Sequence, residues 1–219
     1  MTARSFLTEY QLVDSFQNIS RIKYNMECAL ELESNNGIAD AVLFSRIMPA
    51  STHGDLSLVN PRLAYALHTL PLNEYFSVSD FSQLIASSKK TAQEALYTFM
   101  AAGFCDFFAE DKKWIKKIEP QKIAHELIAI EAKLKDWKKA LKQAYRYLDY
   151  ANQSWVLLDE AHVSPAIKNI ESFKRLRVGL ASISTEGDLK IIFSPEKTKA
   201  RFETSVWAAN TNIARFINH

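Results

Sequence analysis

The stretch HELIAIEAKLKDWKKALKQAYRY, residues 125–147, changes its hydrophobic period part of the way along. From Leu127 to Leu134 the residues alternate, and Glu131 and Lys133 belong to the same set of alternate positions. A period of two residues is typical of a strand, so this half predicts a strand on which Glu131 and Lys133 share a face. Charged groups at the end of an apolar strand are costly to bury without partners, so the pair marks a candidate site.

The second half of the stretch has the period of a helix. Its apolar residues recur three and four positions apart between Trp137 and Leu148. Gln143 and Tyr147 are four residues apart and therefore share one face of that helix. Four basic residues give the helix the character of a phosphate-binding surface. They are Lys138, Lys139, Lys142 and Arg146.

A second carboxylate stands at the start of an earlier strand. The segment GIAD, residues 37–40, opens an apolar run and predicts a strand over 37–47. Residues 6–34 are predicted to form one or two helices that end at the turn-forming sequence SNNG, residues 34–37. Three glutamates would lie on the last turns of this helical region. They are Glu27, Glu31 and Glu33.

Three short motifs, GxxD, ExK and QxxxY, follow one another along the chain on a strand, a strand and a helix. Their residues are Gly37 and Asp40, Glu131 and Lys133, and Gln143 and Tyr147. In this order they resemble the motifs of the PD-(D/E)XK nuclease superfamily, in its RecB-like and lambda-exonuclease-like branch. The resemblance covers residues 20–60 and 120–200. It implies an α/β protein with the restriction-endonuclease-like αβββαβ core.

The resemblance also implies a metal-dependent site. Asp40 and Glu131 would hold Mg²⁺ (or Mn²⁺), and water bound to the ion would attack the phosphorus. Lys133 would help to position or deprotonate that water and would offset the charge that grows on the phosphate. Gln143 and Tyr147 would brace the site or bind the strand backbone.

Further ligands are suggested by the same resemblance. The carbonyl of Ala132 would supply one more oxygen. In this superfamily a glutamate from the helix before the GxxD strand often completes the metal site, and of Glu27 and Glu31, which share a face of the predicted helix, we choose Glu27. A solvated acidic face is the alternative for these glutamates. Asp55 is an alternative metal carboxylate, whereas His53 is predicted to be a loop histidine rather than a ligand.

Residues 61–118 differ from the flanking stretches and predict an insertion. Three helices are predicted here, the last ending at Gly103, followed by a hairpin of strands over 104–108 and 113–118. This arrangement resembles a winged helix-turn-helix domain, in which the third helix would be the recognition helix and the hairpin would be the wing. A structural or protein-binding role is the alternative, since Glu94 on the third helix does not suit a phosphate-rich surface.

The predicted DNA-binding residues lie on the third helix, on the wing and on the basic helix of the central stretch. They are Lys89, Lys90, Gln93, Lys112, Lys113, Lys139, Lys142 and Arg146. The predicted organisation is thus a nuclease core over residues 1–60 and 120–219, interrupted by a winged helix-turn-helix domain over residues 61–119. Within the C-terminal part, a buried parallel strand is predicted over 154–158 and a long helix over 197–217.

Composition sets the remaining limits. The chain has 219 residues, 47% of them hydrophobic, with a net charge of +2, so nucleic-acid affinity would have to come from local basic patches. Cys28 and Cys105 lie in apolar surroundings and are predicted to be buried free thiols. The sequence has neither a signal-peptide pattern nor an apolar run long enough to span a membrane, so we expect a cytoplasmic protein with no membrane contact.

Two functions remain open at this point. The first is a metal-dependent nuclease that hydrolyses phosphodiester bonds of DNA and is targeted by the winged helix. The second is a DNA-binding regulator or protein-interaction module on a nuclease-like scaffold, in which Glu131 and Lys133 form an ordinary edge-strand ion pair and Asp40 caps a turn. Nucleic acid, with DNA first, is the predicted partner, and the long last helix offers a contact for a homodimer.

Overall fold

The structure is a computed structural model that describes residues 4–34, 37–47 and 54–218. The chain divides into two compact units. The first, here called the sheet unit, comprises the described residues up to Arg46 together with Ala124–Phe202. The second, here called the helical unit, comprises the described residues from Ile47 to Ile123 together with those from Glu203 onward.

The described residues contain eight α-helices and nine strands. The helices are α1 (Glu9–Tyr24), α2 (Ala64–Thr69), α3 (Val78–Leu84), α4 (Lys89–Ala101), α5 (Trp137–Tyr147), α6 (Ser164–Ile167), α7 (Ile170–Leu176) and α8 (Glu203–Asn218). The strands are β1 (Glu27–Ser34), β2 (Gly37–Arg46), β3 (Tyr75–Phe76), β4 (Cys105–Phe108), β5 (Lys113–Lys116), β6 (Ala124–Lys133), β7 (Gln153–Asp159), β8 (Gly179–Ile183) and β9 (Leu189–Phe193).

A mixed six-stranded sheet, in the order β1-β2-β6-β7-β8-β9, is the centre of the sheet unit. β6, β7 and β8 are parallel, and the other neighbouring pairs are antiparallel. Successive side chains of the buried strands point to opposite faces of the sheet. Ile130 packs with Leu12 and Phe16 of α1 on one face, whereas Val156 packs with Ala140 of α5 on the other. The α/β class predicted from the sequence is confirmed, as is the parallel strand predicted over 154–158.

The predicted helical region over residues 6–34 is wrong in its second half. α1 ends at Tyr24, where Asn25 adopts a left-handed conformation, with φ 50° and ψ 37°. The following residues form β1, which pairs along its length with β2. The sequence ECALELES, residues 27–34, carries apolar residues at both strand and helix spacings, so pairing with the next strand, β2, decides its structure.

The turn-forming sequence SNNG separates β1 from β2 instead of ending a helix. Ser34 lies opposite Gly37 as the last pair of this antiparallel ladder, and its hydroxyl donates a hydrogen bond of 2.8 Å to the Gly37 carbonyl. Gly37 has φ +124°, a conformation that residues with a Cβ atom rarely adopt. The glycine of the GxxD motif therefore starts the strand that carries Asp40.

The helical unit contains α2, α3 and α4, a three-stranded sheet in the order β3-β5-β4, and α8. The three predicted helices and the predicted hairpin are present as α2, α3, α4 and β4–β5, whereas β3 was not predicted. α8 begins at Glu203, later than the predicted start at residue 197. Its residues Trp207 and Ala214 are buried with Leu67 and Phe99 in one apolar cluster. The last helix therefore belongs to the helical unit, although the sequence grouped it with the nuclease core.

The helices of the described residues are all too short or too polar to cross a membrane.

Candidate active site

Two neighbouring strands bring Asp40 and Glu131 to the same part of the sheet. β2 runs antiparallel to β6, and Ala41 lies opposite Ile130. The residue before Ala41 therefore stands beside the residue after Ile130. One carboxylate oxygen of Asp40, Oδ2, accepts a hydrogen bond of 2.7 Å from the main-chain N–H of Ala132. The register of this strand pair thus places two carboxylates together that are far apart in the chain.

The ammonium group of Lys133 lies among four oxygen atoms at this point. It donates a hydrogen bond of 2.7 Å to the carbonyl of Ala132. It also lies 2.9 Å from Glu131 Oε1, 3.3 Å from Glu9 Oε2 and 3.5 Å from Asp40 Oδ2. Three carboxylates carry more negative charge than one ammonium group neutralises, so this cluster attracts further positive charge.

Glu131 is enclosed by protein, with 1% of its side chain exposed. Its Oε2 lies 2.6 Å from the hydroxyl of Tyr147 on α5, and the same hydroxyl lies 2.7 Å from the carbonyl of Ile38. A hydroxyl has one proton and donates to one of these oxygens at a time. Burial raises the pKa of Glu131, while the Tyr147 hydrogen bond and the nearby Lys133 ammonium lower it, and burial prevails.

The same carboxylates set the charge states of Lys133 and Tyr147. Burial lowers the pKa of Lys133, but the contact with Glu131 and the charges of Asp40 and Glu9 outweigh burial, so the pKa lies above its usual value. Burial and the hydrogen bond to Glu131 raise the pKa of Tyr147. At neutral pH Lys133 is therefore a cation and Tyr147 is a neutral hydrogen-bond donor.

Glu27, the glutamate chosen from the sequence, lies outside this cluster. Glu27 lies on β1, where its carboxylate forms an ion pair of 2.7 Å with Arg46, a residue of β2 beyond Phe44. Glu9, in the first turn of α1, instead contributes the carboxylate from the helix before β2. The choice of Glu27 rested on a helix extending to residue 34, whereas the helix ends at Tyr24. A helix over Glu9–Tyr24 carries two acidic residues, Glu9 and Asp14, and Glu9 is the one in its first turn.

Gln143 lies one helical turn before Tyr147 on α5 and is half-buried. Its carbonyl oxygen, Oε1, is enclosed and has no hydrogen-bond donor within the described residues. An enclosed amide oxygen without a donor is costly, so it invites a water molecule, a hydroxyl group or a cation. The two residues of the QxxxY motif therefore both direct polar atoms inward, and Tyr147 is the one whose partners are visible.

The chemistry of this cluster fits a small divalent cation. The Asp40 and Glu131 carboxylates and the Ala132 carbonyl are hard oxygen donors, and the Lys133 ammonium already marks a place for positive charge among them. Asp40 is 31% exposed, so the cluster is open to solvent on one side. Over residues 4–34, 37–47 and 54–218 no three His, Cys, Asp or Glu side chains are grouped to hold a metal ion. Water or phosphate oxygens would therefore have to complete the coordination shell, as is usual for Mg²⁺.

The residues predicted to contact DNA fall into two groups. On α5 of the sheet unit, Lys139, Lys142 and Arg146 are exposed at helical spacing. The apolar residues of α5 are buried on its opposite side, against β7 and the neighbouring helices. The N-cap Asp136 is the acidic residue nearest to the start of this helix. The exposed side of α5 is thus strongly cationic.

The second group belongs to the helical unit. Ser88 caps α4, and Lys89, Lys90 and Gln93 are exposed on its first turns. Lys112 is exposed in the turn between β4 and β5, with φ 51°, whereas Lys113 is half-buried at the start of β5. Over the helical unit as a whole, Asp and Glu are as numerous as Lys and Arg. The positive charge here is therefore confined to short segments.

Two other predictions from the sequence have structural outcomes. Asp55, the alternative metal carboxylate, caps a short 3₁₀ helix at Leu56–Leu58, where it accepts hydrogen bonds from the N–H and hydroxyl of Ser57. His53 lies outside the described residues. Cys28 and Cys105 are buried free thiols, as predicted, and burial raises their pKa values to about 11 and about 12.

Comparison of the chain with protein-family models, with curated proteins and with solved structures found no match.

Replacing Tyr147 with Phe tests the bond that holds Glu131. The change leaves Glu131 Oε2 inside the protein without its hydroxyl donor, so we expect the free energy of unfolding to fall by about 1–3 kcal/mol. Urea denaturation near neutral pH measures this loss. Tyr145→Phe is the matched control, because Tyr145 lies two residues earlier on the same helix and is 37% exposed. Equal stabilities of the two variants would contradict the role given to Tyr147.

Replacing Glu131 with Gln tests the raised pKa. The native state holds the Glu131 proton more tightly than the unfolded state, in which the pKa of this carboxyl is near 4.5. The stability that this group contributes is therefore fully present below that value and is lost as the pH rises through the native pKa. We expect the stability of Glu131→Gln, relative to the unchanged protein, to increase as the pH is raised from about 4 to about 7. Denaturation curves that differ by a constant amount over this range would contradict the shift.

Proposed function

We propose that the protein is a metal-dependent nuclease of the PD-(D/E)XK type that hydrolyses phosphodiester bonds of DNA. The observation that carries this proposal is the group of oxygens around Lys133, contributed by Asp40, Glu131 and the Ala132 carbonyl. These residues were selected from the sequence by the GxxD and ExK motifs alone. Two motifs that occurred in the sequence by chance would not be expected to lie side by side on adjacent strands.

The order of elements in the sheet unit supports the same proposal. α1 is followed by the antiparallel strands β1, β2 and β6, then by α5 and by β7, which is parallel to β6. This is the succession αβββαβ that the resemblance implies. The two acidic positions fall on the second and third of these strands, and Gln143 and Tyr147 fall on the helix that follows.

In the proposed reaction each residue has a distinct part. A bound Mg²⁺ or Mn²⁺ would supply Lewis acidity at the phosphate and an acidified water. Asp40, Glu131 and the Ala132 carbonyl would hold the ion. Lys133, a cation at neutral pH, stabilises the negative charge that grows on the phosphate oxygens. Tyr147 fixes the orientation of Glu131 through the 2.6 Å hydrogen bond, so that the carboxylate is pre-positioned before substrate arrives.

Glu9 is the proposed replacement for Glu27 in the metal site. Its carboxylate already shares the Lys133 ammonium with Asp40 and Glu131, at 3.3 Å. Glu9 is exposed, and it begins a helix whose N-cap, Thr8, holds the first turn in place. A carboxylate at this position would complete the oxygen shell of the ion directly or through a water molecule.

The exposed side of α5 supports a path for the nucleic-acid backbone. Lys139, Lys142 and Arg146 follow one another along the same helix that directs Gln143 and Tyr147 inward. Basic residues neutralise phosphates regardless of base sequence, so this surface suits binding of the backbone rather than recognition of bases. It would place positive charge beside the strand that is cut.

The helical unit supports a proposed winged helix-turn-helix domain. The three helices α2, α3 and α4 followed by the hairpin β4–β5 agree with the arrangement expected for that domain, and β3 adds a third strand to its sheet. Lys89, Lys90 and Gln93 on α4 would contact DNA, with Lys112 and Lys113 on the wing. The exposed apolar residues Tyr97 and Met100 farther along α4 favour protein contacts as well.

A non-catalytic DNA-binding regulator is the second candidate. The observation in its favour is that Lys133 forms ion pairs with every carboxylate of the cluster, which is also what a purely structural ion-pair network would show. A homodimer remains a proposal in either case. The apolar side chains of α8 are mostly buried inside the helical unit, so this helix offers little apolar surface to a second copy.

The first test of the nuclease is cleavage of plasmid and single-stranded DNA in the presence of Mg²⁺ or Mn²⁺. We expect metal-dependent cleavage that Lys133→Ala and Asp40→Asn reduce by at least about a hundredfold, because each removes a charge from the reacting centre. Glu9→Gln should reduce cleavage at low metal concentration and recover partly at high concentration. Asp14→Asn, at another exposed acidic residue of α1, is the control and should cleave normally.

DNA binding by the same variants separates the two candidates. Under the nuclease proposal Lys133→Ala still binds DNA and is only unable to cut it. If the purified, folded protein shifts DNA in a gel but never cuts it with either metal, and if Asp40→Asn changes nothing, the regulator becomes the better description. An unfolded variant would be recognised by its circular dichroism spectrum and set aside.

A second test locates the DNA path, using Lys133→Ala as the uncut background. Lys139→Ala together with Lys142→Ala should weaken binding and lower the slope of log affinity against log salt by about 0.9 for each phosphate that the protein no longer neutralises. Lys89→Ala together with Lys90→Ala is the matched pair on α4. An unchanged slope in the α5 pair, with a strong loss of affinity in the α4 pair, would place the DNA on the helical unit instead.

A further inference from the structure

A cavity of about 400 Å³ lies in the sheet unit, on the face of the sheet opposite α5. Residues of α1, β2, β6, β7, β8 and β9 line it, and most of them are apolar. They include Phe16, Tyr24, Ile130, Trp155, Leu157 and Ala181. The volume is within the range of pockets that hold small molecules. Because Glu131 follows Ile130 on β6 and faces α5, this cavity is separate from the candidate active site.

One wall of the cavity is built by a close contact between two parallel strands. Trp155 of β7 lies opposite Gly179 of β8. A Cβ atom at position 179 would lie 2.3 Å from carbon atoms of the Trp155 indole, so the ring lies directly against the glycine. The absence of a side chain at Gly179 therefore lets a large aromatic surface lie across the sheet, where it faces the cavity.

The polar groups of the cavity gather where β6 and β7 begin. The Lys197 ammonium forms an ion pair of 2.6 Å with Glu126 near the start of β6. Gln153, the first residue of β7, donates a hydrogen bond of 2.7 Å to the carbonyl of Pro195. Leu157, toward the other end of β7, has apolar neighbours. The cavity thus has one polar end and an apolar interior.

The charged side chains that line the cavity, Lys197 and Glu126, pair with each other at its polar end. The Lys197 side chain is 63% exposed although it is paired with Glu126. A second ammonium group, that of Lys23, lies 5.7 Å from the ring centre of Tyr24, which lines the cavity. Lys23 does not line the cavity, but its ammonium lies beside a ring that does, so a second cation stands near Lys197 at this end. A ligand that carries one negative charge would be attracted to this entrance.

We propose that this cavity binds a monoanionic amphiphile. Its aliphatic or aromatic body lies among Phe16, Trp155 and Leu157, and its acidic group lies at Lys197. Burial of apolar surface holds the body in the cavity, and the acidic group determines the orientation of the ligand. This site is independent of the proposed nuclease activity, because it shares no side chain with the carboxylate cluster.

The proposal is tested with two fluorescent probes that share an aromatic body. Anilinonaphthalene sulfonate carries one negative charge, and N-phenylnaphthylamine carries none. We expect both to bind the folded protein saturably and with one site, with a rise in fluorescence. Lys197→Ala should weaken sulfonate binding roughly two- to fivefold and leave the neutral probe unchanged, as expected for loss of an exposed ion pair. Lys168→Ala, at an exposed lysine that does not line the cavity, is the matched control.

A second variant tests the apolar interior. Ile191 lines the cavity and is 48% exposed, so an aspartate there is compatible with folding. Ile191→Asp should weaken the binding of both probes at least about tenfold. The aromatic body of either probe would have to displace water from the new carboxylate. The proposal is overturned if the folded protein binds neither probe, if Ile191→Asp binds both as before, or if Lys197→Ala and Lys168→Ala behave alike.

Discussion

The buried carboxylate of Glu131 is the constraint around which the sheet unit is arranged. Enclosing an isolated carboxylate costs several kcal/mol, so neighbours must compensate it. Lys133 supplies positive charge from the same strand, and Tyr147 supplies a hydroxyl from the helix that follows. Both partners come from one continuous stretch, since β6 turns directly into α5. The strand–turn–helix sequence of residues 125–147 therefore carries a charged residue together with the means to bury it.

Much of this arrangement could be predicted from the chain because it depends on local order. The change from a two-residue to a helical period marks the end of β6 and the start of α5, and the spacing of Gln143 and Tyr147 places them on one side of that helix. The proximity of Asp40 to Glu131, in contrast, does not follow from local sequence order. It depends on the pairing of Ala41 with Ile130 across a long insertion, and such a register is set by tertiary packing.

Glu9 could not be found by local reasoning for the same physical cause. Its carboxylate lies near Lys133 on a helix that packs on the sheet through Leu12 and Phe16 and is anchored at its beginning by Asp159, a buried residue at the end of β7. Asp159 Oδ2 accepts hydrogen bonds of 2.6 Å from the Ser5 hydroxyl and 3.0 Å from the Phe6 N–H. No pattern near Asp159 indicates these contacts. The position of α1 on the sheet therefore depends on polar and apolar contacts with residues far away in sequence.

The place of the helical unit in the chain links folding to the assembly of the cluster. β2 and β6 are neighbours in the sheet, yet the chain between them builds most of a separate unit. The N–H of Ile47 donates a hydrogen bond of 2.8 Å to the carbonyl of Ile123, so the two ends of the insertion lie together where the pairing of β2 with β6 stops. Holding the two ends of a long flexible loop together costs entropy. An insertion that is already folded loses little further entropy when β2 pairs with β6. We therefore expect mutations that slow folding of the helical unit to delay the approach of Asp40 to Glu131 as well, although they change no residue of that cluster.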